Sequence, residues 1–196
     1  MTVLISFKKD DEVWLASDKR VTIGDFITYQ PEEQKKFIVL ENSKAIIAPA
    51  GLVFVADLLN EFIDSTRMAN FSFENKQKVS NFFIAFKEFI NEYRYISEET
   101  LDNSSLFLLA TPKKIFYVDG SFGITEVRDF IACGSGMDIA VGALEYCFNY
   151  DKEQSPEEII KRVMEIVFKR NNTCGDGYDI VNVTKYFANN NRKGKR

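Results

Sequence analysis

Histidine is absent from the 196 residues of this chain. Its absence excludes Ser-His-Asp and Cys-His catalysis, because both depend on an imidazole that exchanges protons near pH 7. The three cysteines, Cys133, Cys147 and Cys174, lack the spacing of a zinc site, and their odd number argues against a disulfide framework. A base for chemistry at neutral pH must therefore be a shifted carboxylate, a lysine, a cysteine or an α-amine.

Long apolar runs and a surplus of basic residues are also missing. No apolar segment could span a bilayer and no apolar leader begins the chain, so we expect a cytoplasmic protein without a membrane partner. The net charge of −4 argues against a nucleic-acid partner. With 45% hydrophobic and 28% charged residues, the chain is typical of globular proteins, and no linker or repeat indicates a second domain.

Apolar periodicity divides the chain into strands and helices. The predicted strands are 2–8, 13–17, 36–40, 45–48, 106–110, 114–118, about 130–132 and 180–183, with a turn at Gly24-Asp25. The predicted helices are 52–68, 75–95, 136–149 and 156–170, the last with a capping box at Ser155, Pro156 and Glu158. This order predicts two antiparallel sheets packed face to face, each covered by a helical pair. We expect one domain over 1–187 and a basic, disordered tail over 188–196.

Thr2 is the residue of greatest chemical interest, because it directly precedes the first strand and follows Met1. If Met1 is removed, Thr2 carries a hydroxyl nucleophile and a free α-amine on one residue. That amine has an ordinary pKa of about 7.7–8.0, so it can accept the hydroxyl proton. Many proteins begin with Met-Thr and lack this chemistry, so the dipeptide indicates a nucleophile only together with its surroundings.

Four further segments place polar or glycine residues at the ends of predicted elements. They are Ser17-Asp18-Lys19-Arg20, Lys35-Lys36, Ala50-Gly51 and Gly134-Ser135-Gly136. Each one alone also fits surface charge or a tight turn, with Ser135 as a helix N-cap. Backbone N–H groups at a strand-to-helix junction can also bind an anion, so the two glycine segments are open to both interpretations.

Together these segments resemble the proteasome β-subunit family, including the HslV-type peptidases, within the N-terminal nucleophile hydrolases. The resemblance covers almost the whole chain. It rests on Thr2-Val-Leu-Ile-Ser-Phe-Lys, Val13-Trp-Leu-Ala-Ser-Asp-Lys-Arg-Val-Thr22 with Gly24, Lys35-Lys36-Phe-Ile, Ile47-Ala-Pro-Ala-Gly51 with Ala56-Asp57, and Ala132-Cys-Gly-Ser-Gly136 with Gly142-Ala-Leu-Glu145. It implies an α+β fold, a four-layer αββα sandwich.

The resemblance also implies a catalytic set. Thr2 is the expected nucleophile with its α-amine as base, Lys36 lies beside it, and Asp18 pairs with Lys36. The Gly51 N–H faces the oxyanion, and Ser135 hydrogen-bonds near the amine. Arg20 supports the site without reacting.

Further residues are assigned by the same resemblance. The pocket for the residue before the cut, expected to be mainly apolar and uncharged, is lined by Val21, Gln34, Pro49 and Val53. No cofactor is required, but a structural monovalent or divalent cation is expected on the carbonyls of Phe168, Asn171 and Cys174. The chain departs from the family in having Leu52 where many members have a second glycine. It also has Asn171 and Cys174 where the proteasome pattern places an Asp and a Ser.

The function implied is that of a threonine endopeptidase subunit in a self-compartmentalised, homo-oligomeric ring that cuts unfolded proteins. An ATP-dependent unfoldase is a compatible partner. Two alternatives stay open at this point. One is a catalytically inactive, structural proteasome-like subunit, for which Asn171 and Leu52 leave room. The other is an N-terminal nucleophile amidohydrolase that acts on a small amide.

Overall fold

The computed structural model describes residues 2–23, 26–29, 35–65, 71–92, 105–151, 153–175 and 177–193. These ranges contain eleven strands and five helices. The strands are β1 Val3–Lys9, β2 Glu12–Asp18, β3 Arg20–Ile23, β4 Phe26–Tyr29, β5 Ile38–Leu40, β6 Ala45–Gly51, β7 Ser105–Ala110, β8 Ile115–Val118, β9 Ile124–Val127, β10 Phe130–Gly134 and β11 Tyr178–Asn182. The helices are α1 Val53–Ser65, α2 Lys76–Glu92, α3 Met137–Tyr150, α4 Pro156–Arg170 and α5 Val183–Lys193.

The strands form two main antiparallel sheets and a separate hairpin. One sheet has the order β10-β1-β2-β11 and the other the order β5-β6-β7-β8-β9, while β3 pairs with β4 alone. In the first sheet β1 lies between β10 and β2, with Val3 opposite Gly134 and Leu4 opposite Ser17. This register brings the ends of three strands together at Thr2.

Both faces of the central strands are buried, which explains their continuous apolar runs. Along β1, Val3 and Ile5 belong to a cluster with α3 and α4, whereas Leu4 belongs to a cluster between the sheets. Along β6, Ile46 faces the space between the sheets and Ile47 packs beneath α1 and α2. The layers are therefore helix, sheet, sheet, helix, which is the predicted αββα sandwich.

The start of α4 has the local geometry that the sequence predicts. Ser155 Oγ accepts the N–H of Glu158, and the Glu158 carboxylate accepts the N–H of Ser155 at 3.0 Å. Pro156 occupies the first turn, where no N–H partner is needed. None of the helices in the described part of the chain has the length and apolar content needed to cross a membrane.

The structure differs from the sequence-based prediction in two respects. The expectation of disorder from residue 188 is wrong for 188–193, because α5 continues to Lys193. Val183 and Phe187 bury their side chains against the cluster between the sheets, and the Asn190 amide donates to Glu41 at 3.4 Å. This helix was not predicted, because its segment is rich in Asn and two buried apolar residues are too few to show a helical period. Residues 194–196 lie outside the described residues.

The second difference concerns short strands that sequence periodicity missed. Strand β4 has all four side chains exposed, and β9 has only four residues, of which Ile124 alone is buried, so neither strand shows alternation. The predicted turn at 24–25 and the predicted helix ends at 66–68 and 93–95 lie outside the described residues.

Candidate active site

Thr2 is nearly buried at the point where β1 begins, with 8% of its surface exposed. The neighbouring strand β10 approaches Thr2 so closely that a Cβ on Gly134 would lie 2.1 Å from the Thr2 carbonyl oxygen. Gly134 also has a φ of +85°, a conformation that residues with a Cβ rarely adopt. Glycine at this position therefore allows β10 to deliver Ser135 to the side of Thr2.

The Lys36 ammonium lies beside the Thr2 hydroxyl. It donates to Thr2 Oγ1 at 2.6 Å, to Asp18 Oδ1 at 2.9 Å and to the Arg20 carbonyl at 2.6 Å. These three acceptors match the three N–H donors of an ammonium group. The positive charge is thereby fixed in position against the hydroxyl oxygen of Thr2.

Asp18 holds this ammonium from a fully buried position at the end of β2. Its side chain has no exposed surface, and that of Lys36 is 10% exposed. The Asp18 carboxylate also accepts the N–H of Val3 at 3.1 Å and the N–H of Gly175 at 3.3 Å. A buried carboxylate needs such partners, since an unpaired charge in the interior is very costly.

Ser135 directly follows β10 and lies beside the backbone of Thr2. Its hydroxyl donates to the Thr2 carbonyl oxygen at 3.4 Å, and the expected contact with the Thr2 amine stays a prediction. It also lies 3.5 Å from Cys174 Sγ, and the Thr173 hydroxyl donates to it at 2.8 Å. Asn171 Nδ2 donates to the Ser135 carbonyl at 2.6 Å. The loop after α4 thus contacts Ser135 through three residues.

The cysteines of the described structure are thiols, and Cys174 is the one next to the site. Burial is the largest influence on it and raises the pKa of the Cys174 thiol, while the hydrogen bond from Ser135 acts in the opposite direction. Burial likewise raises the pKa of Cys133 to about 12. A nucleophilic cysteine has a lowered pKa, so Cys174 serves here as a neutral, packed side chain.

A cleft of about 170 Å³ opens at Thr2. Val21, Pro49 and Val53, three of the four residues expected to line the substrate pocket, do line this cleft, and Gln34 lies outside the described residues. The lining is less uniform than expected, because it also includes Thr22, Lys35, Asp57 and Asn60. The cleft therefore has an apolar wall and charged side chains of both signs.

Gly51 lies in the same cleft, at the junction of β6 and α1. Its φ of +115° is accessible to glycine and strained for other residues. Leu52 follows directly and is 40% exposed on the cleft wall. The role of the Gly51 N–H as an oxyanion donor stays a prediction.

Arg20 and the predicted cation residues lie around the loop after α4. The Arg20 guanidinium donates to the carbonyl of Asn172, which ties β3 to this loop. Phe168 and Asn171 are half-buried at the end of α4, and Cys174 is buried beyond them. In the described residues no cluster of three or more His, Cys, Asp or Glu side chains could hold a metal ion. A cation bound by carbonyls stays a prediction.

Three contributors to the site were missed by sequence reasoning. These are Thr173, the N–H of Gly175 and the backbone carbonyl of Arg20. A backbone group leaves no sequence signal, and Thr173 lies in a loop without periodicity. Its only signal is its position between the two departures from the family pattern, Asn171 and Cys174.

Comparison with known proteins places this geometry in context. Residues 2–183 match the family model described as proteasome subunit. The proteasome subunit beta of Ferroglobus placidus is 28% identical over 191 residues, which are 94% of this chain and 87% of that protein.

Solved structures share the fold. Thiobacillus denitrificans BPH in complex with epoxomicin superimposes with a TM-score of 0.80 at 17% identity, covering 92% of this chain and 97% of that one. Eukaryotic HslV from Trypanosoma brucei gives 0.64 at 18% identity, covering 91% and 97%. The predicted N-terminal nucleophile hydrolase fold is confirmed.

Proposed function

Because this chain belongs to the proteasome subunit family, we propose that it is a threonine peptidase subunit of a ring-shaped protease, with Thr2 as its nucleophile once Met1 is removed. The observation that carries the proposal is the 2.6 Å contact of the Lys36 ammonium with Thr2 Oγ1, held in place by buried Asp18. A fixed positive charge at this distance favours developing negative charge on the hydroxyl oxygen.

The proposed reaction begins when Thr2 Oγ attacks the carbonyl carbon of a peptide bond. The hydroxyl proton passes to the Thr2 α-amine, directly or through one water, and the Lys36 ammonium stabilises the oxygen as it loses this proton. The carbonyl oxygen becomes an oxyanion, which accepts a hydrogen bond from the Gly51 N–H. The amine returns its proton to the leaving nitrogen, the C–N bond breaks, and water then hydrolyses the Thr2 ester.

The proposed substrates are unfolded proteins and peptides. A cleft of about 170 Å³ accommodates a single extended segment, and its apolar wall of Val21, Pro49 and Val53 suits an apolar side chain before the cut. An ATP-dependent unfoldase is the class of partner that would supply such segments from folded proteins.

Assembly into a homo-oligomeric ring is part of the proposal. Pairs of exposed apolar side chains on two elements are consistent with it, because subunit contacts in a ring would cover such surface. The hairpin exposes Phe26 by 80% and Ile27 by 51%, and α3 exposes Tyr146 by 58% and Tyr150 by 75%.

The test combines intact-mass measurement with labelling by epoxomicin, the ligand in the BPH structure. We expect a mass lacking Met1, hydrolysis of a fluorogenic peptide, and a label mapped to Thr2. The variant Thr2→Ala should lose both labelling and hydrolysis, while Thr125→Ala, an exposed threonine on β9, should keep both.

Three outcomes would contradict the proposal. Peptide hydrolysis by Thr2→Ala at the parental rate would exclude Thr2 as nucleophile. A processed but unlabelled and inactive parent would favour the structural subunit. Turnover of one small amide without peptide hydrolysis would favour the amidohydrolase.

A further inference from the structure

A groove of about 720 Å³ lies at the end of the sandwich opposite to Thr2. Strand β6 relates the two places, because it follows the groove residue Lys44 and ends at Gly51 in the Thr2 cleft. Its seven residues span about 20 Å. The groove is therefore separate from the substrate cleft, and the function proposed for Thr2 gives it no role.

The groove has a largely apolar lining that comes from three separate segments. Phe71 and Phe73 precede α2, Pro112 lies in the turn after β7, and Phe187 and Ala188 lie on α5. A cavity of roughly 300–1,000 Å³ with an apolar lining and a few polar groups is typical of ligand sites. The size and lining of this groove therefore suit an apolar side chain.

Hydrogen bonds join the walls of the groove to both sheets. Thr184 on α5 accepts the N–H of Val13 on β2 at 2.9 Å and donates to the Pro112 carbonyl at 2.8 Å. Tyr186 on the same helix donates to the Glu41 carboxylate, which follows β5, at 2.6 Å. Walls that are fixed before a ligand arrives lower the entropic cost of binding.

Two lysines on the groove carry charges that have no local counter-charge. Lys44 and Lys113 are exposed, and within the described ranges neither ammonium forms an ion pair or a side-chain hydrogen bond. The carboxylate among the described lining residues, Glu74, pairs with Lys78 at 2.6 Å. The groove therefore combines an apolar lining with positive charge that is available to a ligand.

The positive charge extends beyond the groove. An adjoining cavity of about 460 Å³ shares Lys113 with it and is also lined by Lys8 and Arg128. The carboxylate in the lining of that cavity, Glu126, pairs with Lys114 at 2.9 Å. On a chain with a net charge of −4, this region is a local excess of positive charge. Such an excess attracts an acidic partner and selects against a basic one.

Asn42 and Ser43 add hydrogen-bonding groups to the same groove. Among the described residues, their side chains have no hydrogen-bond partner. An amide and a hydroxyl each donate and accept, so both can pair with a peptide backbone. The hydrocarbon chain of a fatty acid would offer them no partner, which favours a peptide as the ligand.

We propose that this groove binds an acidic peptide segment of a partner protein. The segment places one aromatic or leucine side chain against Phe71, Pro112 and Phe187. Its carboxylates lie beside Lys44 and Lys113, and its backbone pairs with the polar groups of the turn before β6. The inference does not depend on the chemistry of Thr2.

The test measures binding of the peptide fluorescein-Asp-Glu-Phe-Leu-Glu-Asp-amide by fluorescence anisotropy. The full chain carries Thr2→Ala, so that the probe is not hydrolysed. One matched peptide replaces its acidic residues by Lys, and another replaces Phe-Leu by Ser-Ser. Dodecanoate is the lipid-like competitor.

Two pairs of variants locate the bound peptide. Ala188→Glu and Asn189→Glu make the same change of charge on adjacent exposed residues of α5, but only Ala188 lines the groove. The double variant Lys44→Gln/Lys113→Gln removes the two free charges. Its control is Lys169→Gln/Arg170→Gln, on exposed positions at the end of α4.

We expect the acidic peptide to bind more tightly than either matched peptide, and Lys44→Gln/Lys113→Gln to weaken its binding about tenfold. Added salt should weaken binding to the parent more than to this double variant. Ala188→Glu should weaken binding at least about fivefold, because it places a carboxylate in the groove. Asn189→Glu and the control on α4 should stay within about twofold of the parent.

Several outcomes would overturn the inference. Equal binding of the acidic and basic peptides would remove the role of charge, and equal losses in Ala188→Glu and Asn189→Glu would place the peptide outside the groove. Binding of dodecanoate without peptide binding would assign the groove to a lipid-like carboxylate. If no peptide binds and Ala188→Glu alters the size of the oligomer on gel filtration, the groove contacts a second copy instead. A parent that binds none of the probes would also contradict the inference, whereas a parent without peptidase activity would overturn only the proposed function.

Discussion

Replacing Lys36 by Met tests the centre of the site most directly. Methionine has a similar length and no charge, so the substitution removes three hydrogen bonds while largely preserving volume. Two effects follow from the geometry. Thr2 Oγ1 loses the cation at 2.6 Å, and the fully buried Asp18 loses its counter-charge.

The magnitudes differ for activity and stability. Removing a charged donor from an oxygen that develops negative charge, here Thr2 Oγ1, costs about 3–4 kcal/mol, so kcat should fall about 10²–10³-fold. Stranding one member of a buried ion pair typically costs about 3–5 kcal/mol. Asp18 keeps the N–H groups of Val3 and Gly175, so we expect the lower end, about 3 kcal/mol, in the free energy of unfolding.

The assay uses Trp14, the single tryptophan of the chain, as the reporter of urea unfolding. It lies on β2 and packs against the cluster beneath α3 and α4. Unfolding is measured at one protein concentration, because subunit association changes the apparent stability. Hydrolysis of a fluorogenic peptide is followed on the same samples.

The double variant Lys36→Met/Asp18→Asn separates the two effects. The amide that replaces the Asp18 carboxylate carries no charge, so the double variant should regain at least about 1 kcal/mol of stability relative to Lys36→Met alone, while kcat stays as low as in Lys36→Met. If Asp18→Asn instead lowers stability further in the Lys36→Met background, Asp18 does not act as a stranded charge. If Lys36→Met hydrolyses peptide at the parental rate, the cation has no role in activating Thr2.

Two other substitutions test the surroundings of Thr2. Gly134→Ala should lower the free energy of unfolding by about 3 kcal/mol and impair labelling of Thr2, because the added Cβ would overlap the Thr2 carbonyl at a φ of +85°. The control is Gly142→Ala on α3, which should be neutral or slightly stabilising because its Cβ would meet nothing within 4 Å. Equal losses of stability in the two variants would contradict the argument that Gly134 is required for close approach to Thr2. Asp57→Asn should lower the ratio of kcat/KM for peptides with Lys or Arg before the cut to kcat/KM for peptides with Leu there, by up to about fivefold, because Asp57 is exposed on the cleft wall. Asp64→Asn, on the same helix but not among the cleft residues, should leave this ratio unchanged. If Asp57→Asn also leaves it unchanged, the Asp57 carboxylate does not contact the substrate.

Much of the fold could be predicted because the sandwich buries its central strands on both faces. Such strands appear as continuous apolar runs, and β1, β6 and β7 lie within two or three residues of their predicted bounds. The start of α4 was predictable for a different reason, since a capping box is a local pattern of three side chains. Helix α5 and strand β4 lacked both signals, and their conformations depend on contacts with distant segments or on hairpin pairing.

The candidate site could be predicted only in part, because its members come from separate segments. Thr2 and Lys36 are 34 residues apart in sequence, and no periodicity predicts that they meet. The resemblance to a family named these residues, and the structure then brought Thr2, Asp18, Lys36, Gly51 and Ser135 to one place. Backbone partners such as the Arg20 carbonyl escape both kinds of reasoning, because they do not depend on the identity of a side chain.

The buried Asp18–Lys36 pair supports the proposal that this region of the sandwich is specialised for chemistry. A buried ion pair is weak evidence for stability, since apolar side chains of similar volume often stabilise a protein as well or better. Stability therefore does not account for a carboxylate without exposed surface and an ammonium directed at three acceptors. One of those acceptors is the hydroxyl of Thr2, in a chain without histidine. The pair is better explained as the device that holds a positive charge against that hydroxyl than as a contribution to folding.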